Sequence, residues 1–247
     1  MPEFFLLDGG YPLIFALAAV FLGAIMQAST GVGFGMVAAP VLMLADPRFV
    51  PGPILLLAIL ISGLSVIREW RSVDRRGLVI ALFGRIPGTV LAGITLSLVP
   101  GVTFGLIFGV LVLIGVILSM LARRELPTTK VLLSAGFVSG YMGTLTSIGA
   151  PPMAIAYQHG TPAQIRATMG AFFVIGAAFS IAMLAFFDHF GTAEIVASVI
   201  FVPAVVLGYW ASAYVVQKID KTRIRQVMLA FSGSAALVLI VKSLLHH

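Results

Sequence analysis

Two short stretches gather the residues able to hold a ligand inside an otherwise apolar chain. "STGVGFGMVAAP" runs from Ser29 to Pro40, and "TSIGAPP" from Thr146 to Pro152. The first combines Ser29 and Thr30 with Gly31, Gly33 and Gly35; the second combines Thr146 and Ser147 with Gly149, Pro151 and Pro152. Glycine and proline interrupt helices, and proline is also accepted in a first helical turn. A helix that restarts after such a break presents unpaired N–H groups and about half a positive charge at its amino end. That is chemistry for a small anion. Ser29 or Thr30 offers a cap for the first restart. One cation lies inside an apolar run: Arg85, about eight residues into its segment and roughly 12 Å deep at 1.5 Å per residue. Its planar fork suits oxyanions. The nine Asp and Glu all lie in loops or at segment ends, so the carboxylate usual for a sodium or proton relay is missing.

Each of these residues also has a plainer reading. The glycines, Gly23 and Gly143 included, serve close helix packing equally well. The four hydroxyls can bond back to their own helices. Gln27 is a ligand contact or interhelical glue. Arg85 can satisfy carbonyls freed by Pro87, or snorkel to the surface. Tyr157, Gln158 and His159 close the second restarted helix, with Tyr157 the candidate contact and His159 an interface residue. Arg166 reads as a surface anchor, Asp188 and His189 as a solvated loop, and the ten methionines as packing. Ser29 and Ser147 have no His or Asp nearby to serve as base, so nucleophilic catalysis is not expected. "GVGFG" lacks the lysine and strand context of a phosphate-binding loop.

The elements that must position these residues are membrane helices. Of 247 residues, 60% are hydrophobic and 10% charged, with a mean hydropathy of +1.12. Apolar segments near 20 residues long fit a hydrocarbon core of about 30 Å. Eight are readable, at 11–30, 52–67, 77–98, 102–121, 131–150, 167–187, 194–216 and 226–243. No basic stretch precedes the first, where Glu3 and Asp8 stand, so no cleavable leader is expected. There are no cysteines, and the net charge of +6 reflects loop topology rather than nucleic acid. His246 and His247 are given no role.

The basic residues decide the topology. They fall in clusters at Arg68, Arg71, Arg75 and Arg76; at Arg123, Arg124 and Lys130; at Arg166; and at Lys218, Lys221, Arg223 and Arg225. Eight simple crossings divide them almost evenly between the two faces, against the cytoplasmic excess of Lys and Arg. If 131–160 enters and leaves on one side, all four clusters share a face and Arg48 and Lys242 take the other. That segment then reads as a helix, a break at Thr146–Pro152 and a half-helix.

A repeat extends this reading to 11–46. "FLGAIMQASTGVGFGMVA" (Phe21–Ala38) aligns with "FVSGYMGTLTSIGAPPMA" (Phe137–Ala154) without a gap, pairing Met26 with Met142 and Thr30 with Thr146. The same offset pairs Pro87 with Pro203. The expected fold is an all-α polytopic membrane protein of two repeats, 1–124 and 125–247. Each is a broken re-entrant hairpin plus three transmembrane helices. An odd number of crossings inverts the second copy, the plan of many secondary transporters.

The same motifs carry a family resemblance. "GVGFGMVAAPVL" and "GAPPMAIAYQHGTPAQIRATMGAFF" resemble the paired motifs of the TauE/SafE membrane transporters, through Gly149, Pro151, Pro152, Tyr157, Gly160, Pro162, Arg166, Ala167 and Thr168. Ala150 separates Gly149 from the prolines, and Phe34 stands where many members have another glycine. The resemblance implies a bacterial inner-membrane transporter of sulfite, sulfonates such as sulfoacetate, or related organosulfur anions, working in export. The substrate contacts expected are Gln27, Ser29, Thr30, Gly31, Gly33, Gly35, Arg85, Thr146, Ser147, Gly149, Pro151 and Tyr157. No cofactor, metal or nucleic acid is expected, membrane lipid surrounds the chain, and a homodimer is one arrangement open to it. A small-anion channel is the alternative reading.

Overall fold

The computed structural model describes residues 11–121, 127–215 and 221–245. Glu3, Asp8, Arg123, Arg124, Glu125, Lys218, Asp220, His246 and His247 lie outside the described residues. Within them all regular structure is helical: α1 (Tyr11–Thr30), α2 (Phe34–Ala45), α3 (Gly52–Glu69), α4 (Arg75–Leu98), α5 (Gly101–Leu121), α6 (Thr129–Thr146), α7 (Ala150–Tyr157), α8 (Pro162–Phe186), α9 (Thr192–Val199), α10 (Val202–Val215) and α11 (Lys221–Leu245). Short 3-10 turns follow α2 and α3.

Local chemistry sets where these helices begin. Asp74 accepts from the Gly77 N–H at 3.0 Å and starts α4. Thr128 caps α6 through Val131 at 3.4 Å, and Thr161 caps α8 through Gln164 at 3.3 Å, with Pro162 in the first turn. These caps satisfy amide groups that have no earlier carbonyl in their helix.

By length and composition six described helices can cross a bilayer, or seven if the bent pair α9 and α10 forms one span. The segment at 131–150 is interrupted where the sequence placed its break: α6 stops at Thr146, where Ser147 turns to φ 60°, and α7 beyond it has 8 residues. The expected span at 194–216 is bent by 47° between α9 and α10. Pro203 supplies the cause: it lacks an N–H, and its ring opposes the carbonyl four residues earlier. The bend leaves Phe201 fully buried, edge-on to Phe49 at 5.2 Å. Pro87 in α4 interrupts nothing.

Helices pack in pairs. α3 lies on α8 and α5 on α11; α1 lies on α10 and α6 on α4; α2 lies on α11 and α7 on α5. Exchanging α1–α5 for α6–α11 turns this set of pairings into itself. Lipid tails remove the usual hydrophobic drive for association, so close backbone approach must supply it. The α4–α6 contact does so with two glycine pairs, Gly84 with Gly88 and Gly136 with Gly140. A Cβ on any of them would run into the other helix's main chain. This contact brings Arg85, beside Gly84, next to Ser139, beside Gly140.

Candidate functional site

The two breaks are built alike, 116 residues apart in sequence (146 − 30). Thr30 donates to the Met26 carbonyl at 2.9 Å and accepts from the Val32 N–H at 3.3 Å. Thr146 donates to the Met142 carbonyl at 2.7 Å and accepts from the Ile148 N–H at 3.2 Å. The following residues, Gly31 at φ 84° and Ser147 at φ 60°, are both left-handed and end their helices. For a residue with a Cβ that conformation costs roughly 1–2 kcal/mol, so Ser147 is held there by its surroundings. Its hydroxyl donates to the Pro51 carbonyl at 3.1 Å. At each break the chain doubles back. Phe34, which opens α2, lies against Gly23, and the Gly149 carbonyl accepts from Ser139 at 2.6 Å.

The breaks meet. Gly35 lies directly on the Ser147 carbonyl, so close that any side chain there would collide with it. Between them is a void of about 30 Å³ bordered by Gln27, Gly33, Gly35, Ser147 and Gly149, with Ser62 on the α3 side. A cavity of about 390 Å³ lies beside it, reached by Thr30 and Gly33 from the first break and by Ala150, Pro151 and Tyr157 from the second. Eight of the expected contacts, Pro151 and Tyr157 among them, are thus assembled around one junction as cavity or void lining.

Some expected contacts have other employment. Ser29 returns its hydroxyl to the Ile25 carbonyl at 2.5 Å and caps nothing. Thr146 is fully buried and spends both hydrogen bonds inside the break. Gly31 packs against the Arg166 backbone. Neither Ser29 nor Thr30 caps α2. Gln27 does that, accepting from the Phe34 N–H at 3.3 Å while its amide donates to the Gly31 carbonyl at 3.1 Å and to Ser62 at 3.2 Å. The sequence offered a polar residue in an apolar helix; that its target lay seven residues on, across a reversal, was not readable. The second restart is poorer in donors than the first, since Pro151 and Pro152 carry no N–H.

Arg85 is 3% exposed and lines neither space. One terminal nitrogen donates to Ser139 and the other to Ser180, both at 3.3 Å. Its Nε has no hydrogen-bond partner. Its guanidinium carbon stands 4.9 Å from the Phe172 ring centre, and Gly176 leaves room where a Cβ would strike it. Ser180 also pairs with Thr144 at 2.8 Å. No carboxylate pairs with Arg85 among the described residues. Ser139 connects this cage to the second break, accepting from Arg85 and donating to Gly149. Ser139 and Ser180 went unnoticed in the sequence; a hydroxyl set among glycines in an apolar helix was the available signal.

Ion pairs and hydrogen bonds fasten the periphery. Arg166 grips Glu69 with two bonds, 2.9 and 2.6 Å, across α8 and α3. Arg68 donates to the Ala28 carbonyl near the end of α1 at 3.2 Å. The Tyr157 hydroxyl donates to Asp74 at 3.2 Å, tying the end of α7 to the start of α4. Among the described residues no cluster of His, Asp or Glu could hold a metal.

Comparison with known proteins places this architecture. Neither the curated proteins nor the solved structures include a significant match. The family model described as sulfite exporter TauE/SafE matches residues 15–239, which takes in both breaks, Arg85 and every helix that packs on them. With that match and its apolar helices, the chain belongs to the TauE/SafE sulfite exporter family of multi-pass membrane transporters of sulfur anions.

Proposed function

We propose that the chain is a secondary transporter exporting a small sulfur oxyanion or organosulfur anion, sulfite or a sulfonate such as sulfoacetate, across the bacterial inner membrane by alternating access. α1–α2 and α6–α7 act as re-entrant hairpins from opposite leaflets, one in each of two inverted repeats, 1–124 and 125–247. The anion sits near the membrane midplane, at the amino ends of α2 and α7. One observation carries the reading. Two breaks of the same construction, far apart in sequence, touch at Gly35 and Ser147 and border the same space. Backbone freed from helical bonding is tolerated at membrane depth only against protein or a water-filled cavity.

Gly33 and Gly35 let the anion approach the α2 amides closely. Thr30 and Tyr157 line its route. Arg85 contributes positive potential from one shell behind the second break, by way of Ser139. A buried guanidinium without a carboxylate is expensive, and an anion nearby offsets that cost. With the described carboxylates all at helix ends or between helices, the membrane potential supplies the drive, since an inside-negative potential expels anions.

Purified protein in liposomes should show saturable sulfite or sulfoacetate flux, and counterflow when unlabelled anion is placed on the opposite side. Flux linear in concentration without counterflow marks a channel and ends the carrier reading.

A further inference from the structure

The larger cavity is out of proportion to inorganic sulfite. Its volume of about 390 Å³ falls within the range of sites that enclose organic molecules, roughly 300–1,000 Å³. A three-oxygen anion at the breaks would leave most of that space empty. The lining is also wrong for a hydrated ion. No charged side chain borders the cavity among the described residues, while Met26, Met36, Met120 and Met228 do. Three of these are nearly buried, with Met228 packed on Gly33 at the first break. The sequence spreads its methionines from end to end, and the fold collects these four from α1, α2, α5 and α11. Thioether chains are flexible and polarisable, and fit apolar groups of varied shape.

We infer that the preferred substrate is an organic sulfonate with an apolar body, its sulfonate at the amino ends of α2 and α7 and its hydrocarbon part among these four methionines. The inference rests on the proposed anion site and narrows its substrate class. The lining joins two kinds of surface: Gly33, Ala150 and Pro151 bring the helix starts, and the methionines with Ile155, Ile165 and Leu229 supply apolar walls. A ligand with one anionic end and an apolar body matches that combination.

The test uses the full chain in lipid nanodiscs, with empty nanodiscs as the partition blank. Affinity is measured for sulfite, for the linear alkanesulfonates from methane- to hexanesulfonate, and for 1-alkanols of the same lengths. Each added methylene should tighten sulfonate binding about fourfold, the equivalent of about 0.8 kcal/mol, until the cavity is full, with sulfite weakest. Met228→Ser should weaken hexanesulfonate at least fivefold more than it weakens methanesulfonate, and an equal loss for both overturns the placement of the hydrocarbon part. Sulfite binding as tightly as hexanesulfonate, with no dependence on length, overturns the inference and leaves the anion site standing. Alkanols binding as well as sulfonates overturn it too, because the cavity would then be a lipid-like crevice. Failure of every anion to bind removes the proposed function and this inference with it.

Discussion

Arg85 is the residue whose placement is hardest to explain by stability. Burying a cation costs several kcal/mol unless an opposite charge repays it. Here two serines at 3.3 Å and a phenyl ring stand where a carboxylate would be. Both serines keep other acceptors, Gly149 for Ser139 and Gly176 for Ser180. Arg85→Met should therefore raise thermal stability, by about 1–4 kcal/mol in the manner of other buried charges replaced by apolar groups. It should also cut sulfite or sulfonate transport at least tenfold. Melting curves and liposome flux read the two effects separately, and a variant transporting like the parent removes Arg85 from the anion's field. Gly35 makes a second residue-level case. Gly35→Ala forces a methyl group onto the Ser147 carbonyl, which is main chain and cannot rotate away. A loss of roughly 1–3 kcal/mol is expected from overpacking, with transport abolished. Gly63→Ala faces only a distant Val174 methyl. It should stabilise α3 by up to about 1 kcal/mol and leave flux intact.

At the scale of elements, the two hairpins rest on hydrogen bonds that a straight span would not make. Thr30 and Thr146 close their helices with the same pair of bonds, and a left-handed residue follows each. The halves then differ in how the restarted helix is tied back: Gln27 reaches across the first break, Ser139 across the second. Labelling can test the hairpins, because the chain has no cysteine. Thr128→Cys and Thr161→Cys are exposed and flank α6–α7. A re-entrant hairpin exposes both to a membrane-impermeant maleimide on the cytoplasmic side alone. A cysteine at exposed His189 should react from the opposite side. Labelling of Thr128→Cys and Thr161→Cys from opposite sides would make α6–α7 a complete crossing and end the inverted-repeat proposal.

For the whole molecule, the proposed transport makes a prediction about charge. The described acidic residues Asp46, Glu69, Asp74, Asp188 and Glu194 all lie at helix ends or between helices. An anion crossing with no compensating carboxylate moves net charge. Each charge is worth about 2.3 kcal/mol per 100 mV. In liposomes clamped with potassium and valinomycin, an inside-negative potential should therefore accelerate efflux, and sulfoacetate as a dianion should respond more steeply than methanesulfonate. Efflux indifferent to the potential but abolished by collapsing a proton gradient would replace this mechanism with proton coupling. The cage around Arg85 also breaks the internal symmetry. The position 116 residues on is Phe201 (85 + 116), which lies in the apolar core against Phe49. On the proposed reading the two hairpins are therefore not interchangeable in function.

What the sequence determined by itself was local. Apolar runs of membrane length, glycines and prolines at the breaks, hydroxyls beside them and a shared offset located α1–α2 and α6–α7, because helix interruption depends on the residues at the interruption. The family match takes in the same motifs. The tertiary structure decided which groups face each other. Gln27 rather than Ser29 or Thr30 caps α2, since a long side chain can reach an amide that a reversal has brought alongside. Arg85 sits one serine behind the break, since two glycine pairs press α4 onto α6. Four methionines scattered through the chain line one cavity, and α9–α10 bends where a single span was expected. Contacts of this kind depend on how backbones approach in space, and no spacing along the chain records that.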